Sequence, residues 1–203
     1  MAVNIYKDDL PDNLDLGSVV AIDTETMGLK TPRDRLCLVQ LSSGDGNAHL
    51  VQIAQPAKPA PVLTALLADP SVSKLFHYAR FDLAALMHYV GDVKGDIYCT
   101  KIASKLARTY TDRHGLKELC RELLQIDISK QQQSSDWGAD TLSIDQQNYA
   151  AGDVLYLHEI RDKLTSMLER EDRMSLAKAC FEFLPQRAKL DLIGFDEVDI
   201  FHH

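Results

Sequence analysis

The stretch that most restricts this chain is residues 18–29, S-V-V-A-I-D-T-E-T-M-G-L. Its near-continuous apolar run over 18–25 is that of a β-strand covered on both faces, as in a sheet flanked by helices. Along a strand, side chains at i and i+2 share a face, so Asp23 and Glu25 point together and Thr24 points the other way. Two carboxylates fixed side by side where a buried strand ends repel each other and need a cation. Oxygen-only ligation suits a hard ion such as Mg²⁺ or Mn²⁺. The acid-x-acid pattern alone is not specific, because Glu169-Arg170-Glu171 and Glu197-Val198-Asp199 share it as solvated charge. The apolar run in front is what sets the first pair apart.

The rest of the chain supplies more strands and then helices. Residues 36–41 and 49–53 read as two strands joined in a hairpin over S-S-G-D-G-N. That glycine-rich turn runs into a strand and not a helix, so it is not a nucleotide loop. A helix is expected over 62–68, with Pro61 suited to its first turn. A strand is expected over 72–78, a helix over 81–90, a short strand over 96–99, and helices from Lys101 and from Leu116. Residues 130–141, K-Q-Q-Q-S-S-D-W-G-A-D-T, are polar and aperiodic, the pattern of a mobile loop. From Asp145 the chain reads as helical almost to its last residue. Strands first, helices mixed in and then dominant, predict an α/β domain with a mixed sheet.

Charge and cysteine usage narrow the partners. The formal net charge is −8, which argues against the broad basic face that grips long nucleic acid by its backbone. Residues 101–121 run against that balance, with Lys101, Lys105, Arg108, Arg113, Lys117 and Arg121 against Asp112 and Glu118. Lys101, Lys105 and Arg108 are spaced for one helix face. That face is either solvated surface or a small patch for a short anionic ligand. The four cysteines are scattered without a C-x-x-C pair, as expected of reduced, mostly buried thiols. No apolar run approaches the roughly 20 residues of a membrane span. With no leader pattern at the start, a cytoplasmic protein is expected.

Two more stretches carry acids. In K-L-F-H-Y-A-R-F-D-L-A-A-L, residues 74–86, a strand runs out at His77 and Asp82 falls in the first turns of the next helix. In Y-A-A-G-D-V, residues 149–154, Tyr149 and Asp153 are i, i+4 and share a helix face. Taken singly, each has an ordinary structural explanation: a helix-start acid favoured by the dipole, and a packed Tyr with an acid at the rim. Together, and in this order, D-T-E, H-Y-A-R-F-D and Y-A-A-G-D resemble the three exonuclease motifs of the DEDD superfamily, in its subclass with a Tyr in the third motif. The stretch S-D-W-G-A-D-T-L-S-I-D-Q-Q-N-Y-A-A-G-D-V is similar to the ribonuclease D family, and within it the chain resembles the short nanoRNase branch. The resemblance covers residues 16–165.

That resemblance implies a ribonuclease H-like fold, a mixed sheet flanked by helices with a helical C-terminal part. It implies one exonuclease domain over 1–203, with no C-terminal HRDC domain. Asp23, Glu25, Asp82 and Asp153 would hold two divalent cations, Mg²⁺ or Mn²⁺, and Tyr149 would orient the attacking water. The activity implied is 3′-5′ hydrolysis of short RNA, di- and oligoribonucleotides, to nucleoside 5′-monophosphates. Substrate contacts fall on Thr24, Met27, Gly28, Leu29 and His77, with Leu29 as an apolar wedge between two bases. Arg108, Arg113, His114 and Lys130 are the candidates for the far 5′ phosphate. The branch assembles as a homo-octameric ring, so a homo-oligomer is expected. The competing expectations are a broader exonuclease acting on longer RNA or DNA and a non-catalytic nucleic-acid-binding module on the same fold.

Overall fold

The computed structural model describes residues 2–129 and 131–203. Six strands form one mixed sheet: β1 Val3–Lys7, β2 Val19–Thr26, β3 Leu36–Ser42, β4 Ala48–Gln52, β5 Ser73–Phe76 and β6 Ile97–Cys99. Their spatial order is β1-β4-β3-β2-β5-β6. The β2–β3 and β3–β4 pairs are antiparallel, while β1–β4, β2–β5 and β5–β6 are parallel. The apolar run of β2 therefore lies between two neighbours, and Val20, Ala21 and Ile22 are fully buried.

The sequence pattern did not signal β1. It is a short edge strand with a half-exposed pattern, and it is recognisable only through its pairing with β4. The strand expected over 72–78 is shorter than its apolar pattern suggests. It ends at Phe76, and Tyr78 turns the chain with a left-handed φ of 75° before the next helix begins at Ala79.

Among the described residues, seven α-helices surround the sheet: α1 Pro61–Ala68, α2 Ala79–Tyr89, α3 Thr100–Ala107, α4 Leu116–Leu119, α5 Ile144–Leu155, α6 Leu157–Arg170 and α7 Met174–Leu190. Pro61 opens α1, where a missing N–H costs nothing. The remaining start donors of α1 are met from a distance: the Asp9 carboxylate accepts from Val62 N and Leu63 N at 2.9 and 2.8 Å. Helix α5 begins with a capping box, Ser143 accepting from Gln146 N while the Gln146 side chain accepts from Ser143 N, which fixes its start. Helix α6 buries Leu157, Ile160, Leu164 and Leu168, one stripe at helical spacing. Cys37, Cys99 and Cys120 are buried, Cys180 is exposed, and all four are free thiols.

The apolar interior has two parts. The main core runs from β2 and β5 to the C-terminal helices. A smaller cluster of Cys37, Leu38, Leu50, Trp137, Leu142 and Ala150 lies between the sheet and α5, with Tyr149 packed on it. Through Trp137, the polar stretch after residue 130 joins this second cluster. Its backbone carbonyls also accept from side chains of four different segments. Lys7 reaches Asp140 O, Gln52 reaches Ala139 O, Arg35 reaches Gly138 O and Gln146 reaches Asp136 O. The expected mobile loop is therefore tied down over 136–140.

Candidate active site

The site is built where β2 runs out of partners. Asp23 and Glu25 leave β2 on the face that α5 covers; their register partners on β3 are Gln40 and Leu38. Between Glu25 and Thr26 the register shifts, leaving Cys37 as an extra residue on β3. A bulge of this kind bends a strand and re-aims its side chains. Thr24 leaves on the opposite face and donates from Oγ1 to Asp82 Oδ1 at 2.7 Å. The end of β2 thus meets acids on both faces of the sheet.

Carboxylate oxygens of Asp23, Glu25 and Asp153 lie within 4.8 Å of one another. Asp82, on α2, is outside that tight group. It is 3% exposed, with one oxygen taken by Thr24, and it acts on the group through its charge. Burial first, then the carboxylates of Asp82, Asp153 and Glu25, hold Asp23 well above the ordinary Asp range. Burial, then Asp153 and Asp82, push Glu25 up to about 9. Burial raises Asp82 to about 7, against the hydrogen bond from Thr24. The protein on its own therefore leaves this group short of positive charge.

Tyr149 and Asp153, i and i+4 on α5, share its inward face. Tyr149 packs against Trp137 with ring centroids 5.8 Å apart. Burial and the neighbouring carboxylates push its phenol above the ordinary Tyr range, so it stays protonated near neutrality. His77 is fixed by Thr100. The Thr100 hydroxyl donates to Phe76 O at 3.1 Å, so it accepts from His77 Nδ1–H at 2.8 Å. That bond sets the ring's tautomer, with Nε2 as the acceptor nitrogen of the neutral ring.

A cleft of about 620 Å³ opens over this group, within the size range of small-molecule sites. Asp23, Thr24, Glu25, Tyr149 and Asp153 line its floor region, and Met27, Gly28, Leu29, Tyr78 and Phe81 line it too. Leu29 is 85% exposed. It is held out on the loop of residues 27–35 between β2 and β3, which two bonds close: Lys30 N donates to Asp34 Oδ2 at 2.9 Å and Met27 N to Arg35 O at 3.0 Å. A Cβ at Gly28 would meet Asp34 Oδ2 at 2.3 Å, so a larger residue there has to displace the Asp34 carboxylate.

The basic segment is placed differently from its sequence spacing. Helix α3 ends at Ala107, so Arg108 leaves the helical repeat and turns inward. It is fully buried, donating to Ser104 Oγ, to Arg113 O and to the Glu122 carboxylate. That corrects the expectation of a phosphate contact at Arg108: the guanidinium is spent inside the protein. His114 is bound to Ser104 Oγ through Nδ1 at 2.9 Å, and neither it nor Arg113 lines the cleft. Lys130 lies outside the described residues. The basic side chains that do line the cleft, among the described residues, are Lys101 and Lys117 with His77. Lys101 Nζ stands 4.1 Å from the centre of the Tyr78 ring. Lys101 belongs to the helix face that the sequence offered as a patch for a short anionic ligand, whereas Lys117 stood out only as a member of the basic segment. Trp137 was missed; a lone Trp in a polar run was the available signal.

Residues 8–169 match the family described as 3′-5′ exonuclease. The chain is 37% identical over 155 residues to a ribonuclease D of Gluconacetobacter diazotrophicus, covering 76% of this chain and 39% of that protein. It thus spans well under half the length of that curated relative. Among solved structures, Brucella melitensis NrnC with bound Mg²⁺ is 55% identical with a TM-score of 0.94, each chain covered in full. The same Brucella melitensis protein bound to pGG is 56% identical with a TM-score of 0.95, covering 100% of this chain and 99% of that one. The six-stranded mixed sheet with flanking helices is the ribonuclease H-like architecture expected from the motifs.

Proposed function

Because this chain belongs to the 3′-5′ exonuclease family, we propose that it hydrolyses short RNA from the 3′ end, di- and oligoribonucleotides foremost, releasing nucleoside 5′-monophosphates. The observation that carries this reading is the convergence of Asp23, Glu25 and Asp153 to within 4.8 Å, under a cleft that the exposed Leu29 lines. The donor set fits a hard divalent ion. It offers carboxylate oxygens only, and burial and then mutual repulsion raise their proton affinities, a cost that a bound cation would relieve. Asp23, Glu25 and Asp153 would hold the cations, with Asp82 completing a charge of −4 that two M²⁺ ions balance. When bound, such ions polarise the phosphodiester and lower the pKa of water.

The chain's own groups do the rest. Tyr149 keeps its proton at neutral pH, so it orients a water by hydrogen bonding and does not act as a base. Leu29, Met27 and Gly28 present an apolar edge on which two bases part, and Thr24 fixes Asp82 beneath them. His77, its ring held by Thr100, lines the cleft where the terminal nucleotide would lie. Lys101 and Lys117 supply positive charge for the distal phosphate.

The relative bound to pGG supports a dinucleotide-sized substrate. A single exonuclease domain over 1–203 and a cytoplasmic setting belong to the same proposal. Among the described residues, no helix is long and apolar enough to cross a membrane. Exposed Ile193, Phe195, Val198, Ile200 and Phe201 near the C-terminus support self-association, for which the family resemblance suggests eight copies. Sedimentation at micromolar concentration checks this, and monomer alone refutes it.

The main experiment incubates purified protein with end-labelled ribo- and deoxyribo-oligonucleotides of two to about ten residues, with Mn²⁺ or with chelator. Metal-dependent release of 5′-monophosphates, fastest on the shortest RNA, is expected. Equal rates at every length would sink the short-substrate reading, and equal rates on DNA would sink the RNA preference.

A further inference from the structure

Among the described residues three glutamine side chains are buried, and they are not treated alike. Gln52 is paired at both ends of its amide, accepting from Lys7 Nζ at 2.6 Å and donating to Ala139 O at 3.3 Å. Gln146 is paired at both ends too, with Ser143 N and Asp136 O, each at 3.0 Å. Gln40, in the middle of β3, is the most deeply buried, with no exposed surface. It is satisfied at one end only. Its Nε2 donates to Asp23 Oδ2 at 3.2 Å, while its Oε1 finds no hydrogen-bond partner among the described residues. An apolar residue of the same shape would avoid leaving a buried acceptor unmade, a costly arrangement in an interior. What the glutamine provides is the one bond to Asp23.

The register makes that bond systematic. Asp23 and Gln40 are direct partners across the β2–β3 pair, and both point to the face covered by α5. The terminal torsion of an Asp is broad, so backbone placement alone does not set the plane of its carboxylate. A donor standing opposite does. The orientation of the amide follows from the chemistry: turned over, Oε1 would face Asp23 Oδ2, acceptor against acceptor whenever that carboxylate holds a cation.

We infer that Gln40 is a positioning residue for the candidate metal site, fixing the plane of the Asp23 carboxylate so that it is presented to the cation in one orientation. This deepens the reading of the preceding subsection and rests on it. Partners of metal ligands that lie one shell out characteristically change affinity or activity by about 10- to 100-fold when lost.

Mn²⁺ is titrated calorimetrically into chelator-stripped wild type, Gln40→Met and, as a packing control on the same strand face, Leu38→Met. For Gln40→Met, a half-saturating Mn²⁺ concentration raised about tenfold or more is expected. KM for a dinucleotide at saturating metal should remain within about twofold, and the metal-free protein should melt no earlier than wild type. Leu38→Met should bind Mn²⁺ as wild type does. Equal Mn²⁺ binding by Gln40→Met and wild type would overturn the inference alone. So would an equal loss in Leu38→Met, since packing disturbance would then suffice. Wild type that binds no Mn²⁺ at all would overturn the metal-site reading beneath it.

Discussion

The protein encloses charge at several places and handles it in two opposite ways. Around the end of α3, Arg108 is fully enclosed and spends its guanidinium on Ser104 Oγ, Arg113 O and the Glu122 carboxylate. Lys74, equally enclosed, donates to Asp69 O and Lys94 O. At the rim of β2, by contrast, Asp23, Glu25 and Asp153 are gathered against one another with Asp82 nearby, and burial and mutual repulsion drive their proton affinities up. Where buried charge serves the fold, the chain supplies its partners. Where it does not, the shortfall marks the place at which something from outside must bind.

The sharpest way to break this contrast is to remove one charge from the unneutralised group. Asp153→Asn should reduce metal-dependent hydrolysis to background while the metal-free protein melts at or above the wild-type temperature, as relief of repulsion requires; product analysis and thermal melts read both. Full activity in Asp153→Asn would end the metal-site assignment. The same operation on the neutralised group should do the reverse. Arg108→Met strands Glu122 and the local acceptors, and it should cost about 3 kcal/mol in urea unfolding while leaving hydrolysis by the folded fraction intact.

Next in size is the pH response. Glu25 titrates near 9 in the folded protein against an ordinary 4.5, and Asp82 near 7 against 3.8, so the folded state holds more protons than the unfolded one. The stability of the metal-free protein should therefore fall as pH rises from about 5 to about 9. Saturating Mn²⁺ should flatten that slope by replacing protons. A urea midpoint that rises over this range without metal would contradict the electrostatic picture. The smallest effect is expected at the surface. Leu29→Ala should leave stability within about 0.5 kcal/mol and raise KM for a dinucleotide about tenfold, the worth of an apolar side chain covered by a base.

How much of this the sequence disclosed depended on whether a feature was local. The β2 run, its two acids and the i, i+4 pair Tyr149 and Asp153 are local patterns, and the structure places them as their spacing requires. Strand β1 was not legible because five half-exposed residues carry little pattern until β4 pairs with them. Arg108 was misplaced because a helical spacing argument holds only inside a helix, and α3 ends one residue earlier. The stretch after residue 130 looked free because its composition is polar, yet one indole and four backbone carbonyls tether it. Gln40 could be seen only once the strand register set it opposite Asp23.

That tether has a reach beyond the loop. Lys7 Nζ on the outermost strand clasps both Gln52 Oε1 and Asp140 O, three residues along from the indole on which the Tyr149 ring rests. A disturbance at the margin of the sheet thus has a short mechanical route to the phenol, through one ammonium group and a rigid turn. Substituting Lys7, a solvent-facing lysine far along the chain from any acid in the cleft, would loosen the surface against which that ring is seated.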